Sequence, residues 1–440
     1  MSVVLFLIFF LTDEQLKLNA HYFLFFHIMS VLLLFNNNTL KLFSPISIIY
    51  FYTAVSLFFG SWGFSSEKVL TEHFLLNYYN WDFINISFFY LILSLSIFVI
   101  IGNKLIPNKV PKLYPVKISS ESVLISFVLF VPFFFLSLKI GFLGGNDLSS
   151  IPRTLFALIL IFKAQEHKNF IKFSIYFIVV LILATFSVDS KREALIVVLP
   201  ILFNEFVLND LRINWKNFSI TAIFFTYCIF LILAMSIVRG YGNFGSFNNI
   251  FQAISYIPVY IESDFFISAL LLNIEANYFF FHAINSIELI LENPNLISLG
   301  STMIKPLFIF IPREIFFYKP ESILTLYTSE FEIAFRSIGG SYPISVFSEF
   351  FWNFHFFGIF FVIVLALFCS FIYRQLLGSF RQNNIYKLLF YTIMYSNLLF
   401  YARGSGLDLF FIYVLLSGFF IYLLNLAHKI IVSVNTNNDL

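Results

Sequence analysis

Charge is what this chain has least of. Only 11% of its 440 residues are Asp, Glu, Lys or Arg, against about 25% in soluble domains. Too few charges remain to cover a water-exposed surface, and the 60% hydrophobic content points to a chain that lives in a lipid bilayer. Cysteine is scarce as well. Cys228 and Cys369 both stand inside apolar runs, so neither a disulfide framework nor a redox compartment can be read from them. No basic stripe with interleaved aromatics is present, which argues against a nucleic-acid partner. Asp-x-Asp pairs, His/Cys clusters, Ser/His/Asp orders and Gly-rich phosphate loops are missing too, so nothing calls for a metal or another cofactor. The nearest acidic pair, Glu262-Ser263-Asp264, has oxygens for a divalent ion but reads more simply as a solvated patch. The N-terminus has no basic leader and no small-residue cleavage site, and is expected to be the first span. No internal repeat is found, which disfavours a transporter built of two related halves.

What is plentiful is apolar length. The 66 phenylalanines reflect a compositional bias and carry no functional argument. Apolar segments near 1–11, 18–35, 42–62, 83–101, 122–142, 150–162, 171–188, 193–208, 218–238, 354–373, 386–401 and 405–427 predict an all-α polytopic membrane protein with about 12 transmembrane helices. Cations gather in alternate short loops: Lys104, Lys109, Lys112 and Lys117, then Lys163, Lys168 and Lys172, then Arg212 and Lys216, then Arg374, Arg381 and Lys387. The positive-inside rule places these loops and both termini in the cytoplasm. The chain then divides into an N-terminal bundle over 1–238, a large outward, periplasmic loop with interfacial helices over 239–353, and a C-terminal bundle over 354–440.

Outward cations run against that rule and so stand out. Arg153 opens a span, Lys191 and Arg192 sit in a short turn, Arg239 ends a span, and Arg403 precedes Gly404-Ser405-Gly406. Any one of them reads equally as an anchor for lipid phosphates. Taken with Arg313, Lys319 and Arg336, a converging site for an anionic ligand is the better explanation. Pro312-Arg313 and Lys319-Pro320 tie two of these cations to constrained backbone. Within the large loop, Asn293-Pro294-Asn295 and Gly339-Gly340 are turn signals.

The run Pro312-Arg313, Phe316, Lys319-Pro320 resembles the Pro-Arg, Trp-Pro, Lys-Pro signature of the oligosaccharide repeat-unit polymerases, the Wzy-type O-antigen polymerase family. The stretch from Gly340-Ser341 through Ser345, Glu349 and Asn353-Phe354 to Gly358 is similar to that family's Ser/Glu/Asn-Phe-Gly segment. Aromatic residues up to Tyr318 stand where Trp-Pro is common, and His355 stands where a Gly often follows Asn-Phe. The resemblance implies a fold of the membrane glycosyltransferase-C type and a location in the bacterial inner membrane. It implies glycosyl transfer between undecaprenyl-diphosphate-linked oligosaccharides at the periplasmic face, with a chain-length regulator and a flippase as partners. An O-antigen ligase and a lipid-linked oligosaccharide flippase are the alternatives. A developing diphosphate charge asks for fixed cations, for which Arg192, Arg239, Arg313 and Lys319 are candidates. The attacking hydroxyl asks for a base, and Glu349 ranks first among Glu193, Glu262, Asp264, Glu330, Glu332, His282 and His355. Arg336, Arg403, Lys305 and His282 complete the expected substrate-binding set.

Overall fold

Four helix starts in this chain follow one local rule. Ser44, Ser119, Ser322 and Ser345 each cap a helix by accepting a hydrogen bond from the amide three residues on. In each case that third residue is Ser47, Ser122, Thr325 or Ser348, and its hydroxyl bonds the capping hydroxyl at 2.9–3.3 Å. The pattern is a hydroxyl version of the capping box. It lets apolar helices begin where few charges are available to do so.

A computed structural model describes the chain except for residues 1–4, 6–7, 9, 36–37, 69–81, 110–112, 132–146, 187–191, 210–214, 239–249, 265, 313 and 439–440. Every regular element among the described residues is helical. Five helices are long and apolar enough to cross a bilayer: Asp13–Phe35, Pro45–Ser65, Ile84–Leu105, Val346–Arg381 and Leu407–Ile431. A sixth candidate is the bent pair Phe266–Leu272 and Ala276–Glu292, whose limbs meet at 53°. The chain is therefore an all-helical membrane protein. Other expected spans contain shorter apolar helices, Ser120–Phe130, Asn169–Thr185, Ile196–Leu208 and Ala222–Val238.

The residues pack into two compact units, each discontinuous in sequence. The first takes Met1–Asn108, Tyr260–Phe371 and Leu398–Phe411. Its elements used below are α1 (Asp13–Phe35), α2 (Pro45–Ser65), α3 (Ile84–Leu105), α4 (Ala276–Glu292), α5 (Ile323–Phe331) and α6 (Val346–Phe354). His27 of α1 ties three of these together, with Nδ1 2.6 Å from the Tyr50 hydroxyl and Nε2 3.0 Å from the Ser96 hydroxyl. The start of α3 has no side-chain cap of its own. Glu288 of α4 supplies one instead, accepting the Phe83 amide on both carboxyl oxygens at 3.2 Å.

The segment 265–292 was expected to lie on, or dip into, the membrane surface. Its second limb, α4, is buried along most of its length, and the bent pair it belongs to has the form of a broken span or a re-entrant loop. It lies against α2, where a Cβ on Gly60 would collide with the Ala276 carbonyl and one on Gly63 with the Asn277 amide. Both expected turns are present. Asn293 accepts from the Asn295 amide to start a short 3-10 turn, and Gly339 stands at φ +87° after the Ile333–Ser337 helix.

The second unit takes Lys109–Val259, Ile372–Asn397 and Ile412–Leu440. Its polar core is Glu205, which sits in the π-helical turn Asn204–Leu208. Glu205 pairs with Lys172 at 2.8 Å and accepts from Tyr176 at 3.0 Å and Asn209 at 3.1 Å. Both charges are buried and mutually neutralised, as a buried pair must be.

Candidate functional site

The site grows from α6. Ser345 caps it, and the Ser348 hydroxyl donates to the Ala283 carbonyl of α4 at 2.9 Å. Those two bonds fix the helix start, and helical spacing then puts Glu349 and Asn353 on one face. Opposite that face runs the turn before and through Ser301–Ile304. Glu349 Oε1 accepts from the Thr302 hydroxyl at 3.2 Å. Asn353 Nδ2 donates to the Thr302 hydroxyl at 2.8 Å and to the Glu349 carbonyl at 2.9 Å. Asn353 Oδ1 accepts the Gly300 amide at 3.1 Å. Trp352 Nε1 donates to the Ser298 hydroxyl at 3.1 Å. Gly300 itself holds φ +86° and faces the Phe354 ring, a place where a side chain would be both strained and crowded.

Glu349 is fully buried, and its second carboxyl oxygen has no hydrogen-bond partner. A buried polar atom left open in this way is costly and commonly marks function. Asp408, in the first turn of the helix Leu407–Asn438, lies near enough for its charge to act on Glu349. Asp408 is ion-paired with Lys305, and their side chains are 10% and 18% exposed. The cluster thus has a closed end at Glu349 and a partly open end at the Lys305–Asp408 pair.

The other expected residues fall in different places. Arg403 pairs with Glu275, which enters α4 at φ +60°. Lys319 donates to the Ile309 and Ile311 carbonyls, both at 3.1 Å, and so closes its own loop. Arg336 reaches the Gly340 carbonyl at 3.4 Å. His282 is fully buried in an aromatic box, 4.4 Å from the Tyr342 ring and 5.5 Å from the Tyr327 ring. The Tyr327 hydroxyl accepts from Asn285 at 3.1 Å, which leaves its own hydrogen for His282 Nδ1 at 2.6 Å. Burial holds the Tyr327 phenol far above its usual range. Burial and then the Glu332 carboxylate do the same for Tyr342, which donates to Glu332 at 2.6 Å. Both phenols are therefore lasting donors. Arg239 and Arg313 lie outside the described residues. Arg192 begins the helix Arg192–Phe203, and its side chain lies outside them. Among the described residues no three His, Cys, Asp or Glu side chains converge on a metal-sized site.

Sequence reasoning passed over Asp408, Thr302 and Asn353 as members of a site. Asp408 carried a signal, since an acid opening the last apolar run is expensive unless paired. Thr302 carried none, because its role depends on a contact across 47 residues of chain. Comparison with protein-family models, with curated proteins and with solved structures finds no match to this chain.

Proposed function

We propose that this chain polymerises undecaprenyl-diphosphate-linked oligosaccharide repeat units at the outer face of the bacterial inner membrane. In this reading it is a glycosyltransferase of about twelve spans with both termini in the cytoplasm. Its partners are the lipid-linked oligosaccharide, the bilayer, a chain-length regulator and a flippase. The observation that carries the reading is the partly open Lys305–Asp408 pair beside the buried Glu349 cluster.

The chemistry follows from that pair. A diphosphate oxygen competes with Asp408 for the Lys305 ammonium. Binding of the donor then frees a carboxylate next to an anion-holding cation. The acceptor hydroxyl gives its proton to Asp408 as its oxygen bonds the anomeric carbon. The bond from that carbon to the diphosphate oxygen breaks, and the diphosphate leaves on Lys305. Glu349 reaches no solvent, so in this scheme it positions Thr302 and Asn353. Arg192, Arg239 and Arg313 are kept as further phosphate-binding candidates.

A second observation supports the family resemblance. The position at which that family often carries Gly after Asn-Phe is occupied here by His355, at φ +52° and ψ −138°. Such backbone favours glycine. The test is a gel of surface polysaccharide from cells lacking the gene and from complemented cells. Collapse of a ladder to core plus one repeat unit is expected. Long glycan stranded on the carrier lipid would mean a ligase, and single units held on the cytoplasmic side would mean a flippase. Either outcome would sink the polymerase reading.

A further inference from the structure

The described residues on either side of Arg313, Pro306–Pro312 and Glu314–Pro320, fold as tight turns. The Ile309 amide bonds the Pro306 carbonyl, Ile311 bonds Phe308, Phe316 bonds Pro312, and the Lys319 amide bonds Phe316. Inside, the Phe308 and Phe316 rings stack at 5.2 Å and 14°. The Lys319 ammonium then fastens the end of the loop to its beginning through the Ile309 and Ile311 carbonyls. Such a loop is packed on its own side chains and holds its shape.

Its outer surface is the opposite of what a water-facing loop needs. Leu307, Phe310, Ile315, Phe317 and Tyr318 all point outward, with exposures from 66% to 90%. Five large apolar side chains within twelve residues form a patch, unlike a scattered surface leucine. The internal staple and the stacked rings keep them from folding inward. Charged residues are interspersed with these side chains, with Glu314 exposed and Lys319 half-buried. This distribution, aromatics and aliphatics outside with a few charges among them, fits the boundary between headgroups and acyl chains. The same compact unit contributes apolar helices long enough to cross a bilayer, so that boundary is at hand.

We propose that this stapled loop is an interfacial membrane anchor, seated with Phe317 and Ile315 in the upper acyl region and Tyr318 at headgroup level. The proposal does not depend on the polymerase reading. The test places a tryptophan at Ile315, Phe317 or Tyr318 in the full chain, in lipid nanodiscs whose acyl chains carry bromine at carbons 6,7 or at 11,12. The parent protein's four tryptophans are subtracted as background. At Phe317→Trp the added emission is expected to lose roughly half or more of its intensity in the 6,7-brominated lipid, and less in the 11,12 lipid. Red-shifted emission without quenching would mean that the loop faces water. Blue-shifted emission without quenching would mean that protein covers it, as in contact with a second copy. Quenching strongest at 11,12 would put it deep in the membrane. Any of these three results overturns the anchor.

Discussion

His355 holds φ +52° and ψ −138° just after α6, a conformation that costs a residue bearing a side chain about 1–3 kcal/mol. Its ring recovers part of this by packing 4.6 Å from Phe351. His355→Gly and His355→Ala both lose that ring contact, but only glycine removes the strain. The glycine variant is expected to be the more stable of the two by about 1 kcal/mol in thermal unfolding in detergent. Equal midpoints would show that no strain is stored there. At the Lys305–Asp408 pair, removing one partner leaves a largely buried charge. Lys305→Met should destabilise by about 3 kcal/mol, the lower end for breaking a buried pair. Adding Asp408→Asn should restore most of that stability, because no unpaired charge remains. Activity should not return with it. A double variant that is both stable and able to build polymer would reduce the pair to a structural one.

Between elements, α2 and α4 meet through glycines, and the two glycines differ in what they face. A Cβ at Gly60 would meet the Ala276 carbonyl, which is backbone and cannot turn away. A Cβ at Gly63 would meet the Asn277 side-chain amide and, at 2.9 Å, a Leu271 methyl. Both Gly→Ala changes overpack a tight contact, at a cost of about 1–3 kcal/mol. Asn277→Ala should rescue much of the Gly63→Ala defect, whereas Ala276→Gly should do nothing for Gly60→Ala. Detergent thermal midpoints of the four variants decide it, and rescue of Gly60 by Ala276→Gly would contradict the packing described. The close contact also explains why α4 is buried. Its sequence reads as partly amphipathic because His282, Asn285 and Glu288 are spaced along it, and all three find partners inside the unit.

Across the whole molecule, what could be read from the sequence was whatever is set locally. Low charge and long apolar runs gave the all-helical membrane class. Turns at Asn293-Pro294 and Gly339-Gly340 were also legible, since proline and glycine act through their own backbone. Pairing was not. Lys305 and Asp408 are 103 residues apart, and the first compact unit draws on stretches before, within and after the 239–353 interlude between the two expected bundles. Hydropathy read along the chain sees that interlude as a loop, although α4 and α6 within it are largely buried. The orientation inferred from lysine and arginine is a separate question, since it rests on loop charge and not on packing. It places Asn108, in a loop with four lysines, in the cytoplasm and Asn249 outside. A single cysteine at Asn249, in a chain with Cys228 and Cys369 replaced, should react with a membrane-impermeant maleimide in cells whose inner membrane is intact. A cysteine at Asn108 should react only after that membrane is opened. If both react from outside, the span count between them is wrong by an odd number; if the cysteine at Asn249 reacts only after the membrane is opened, the segment that carries Arg313 and Arg336 faces the cytoplasm, out of reach of a substrate on the outer face.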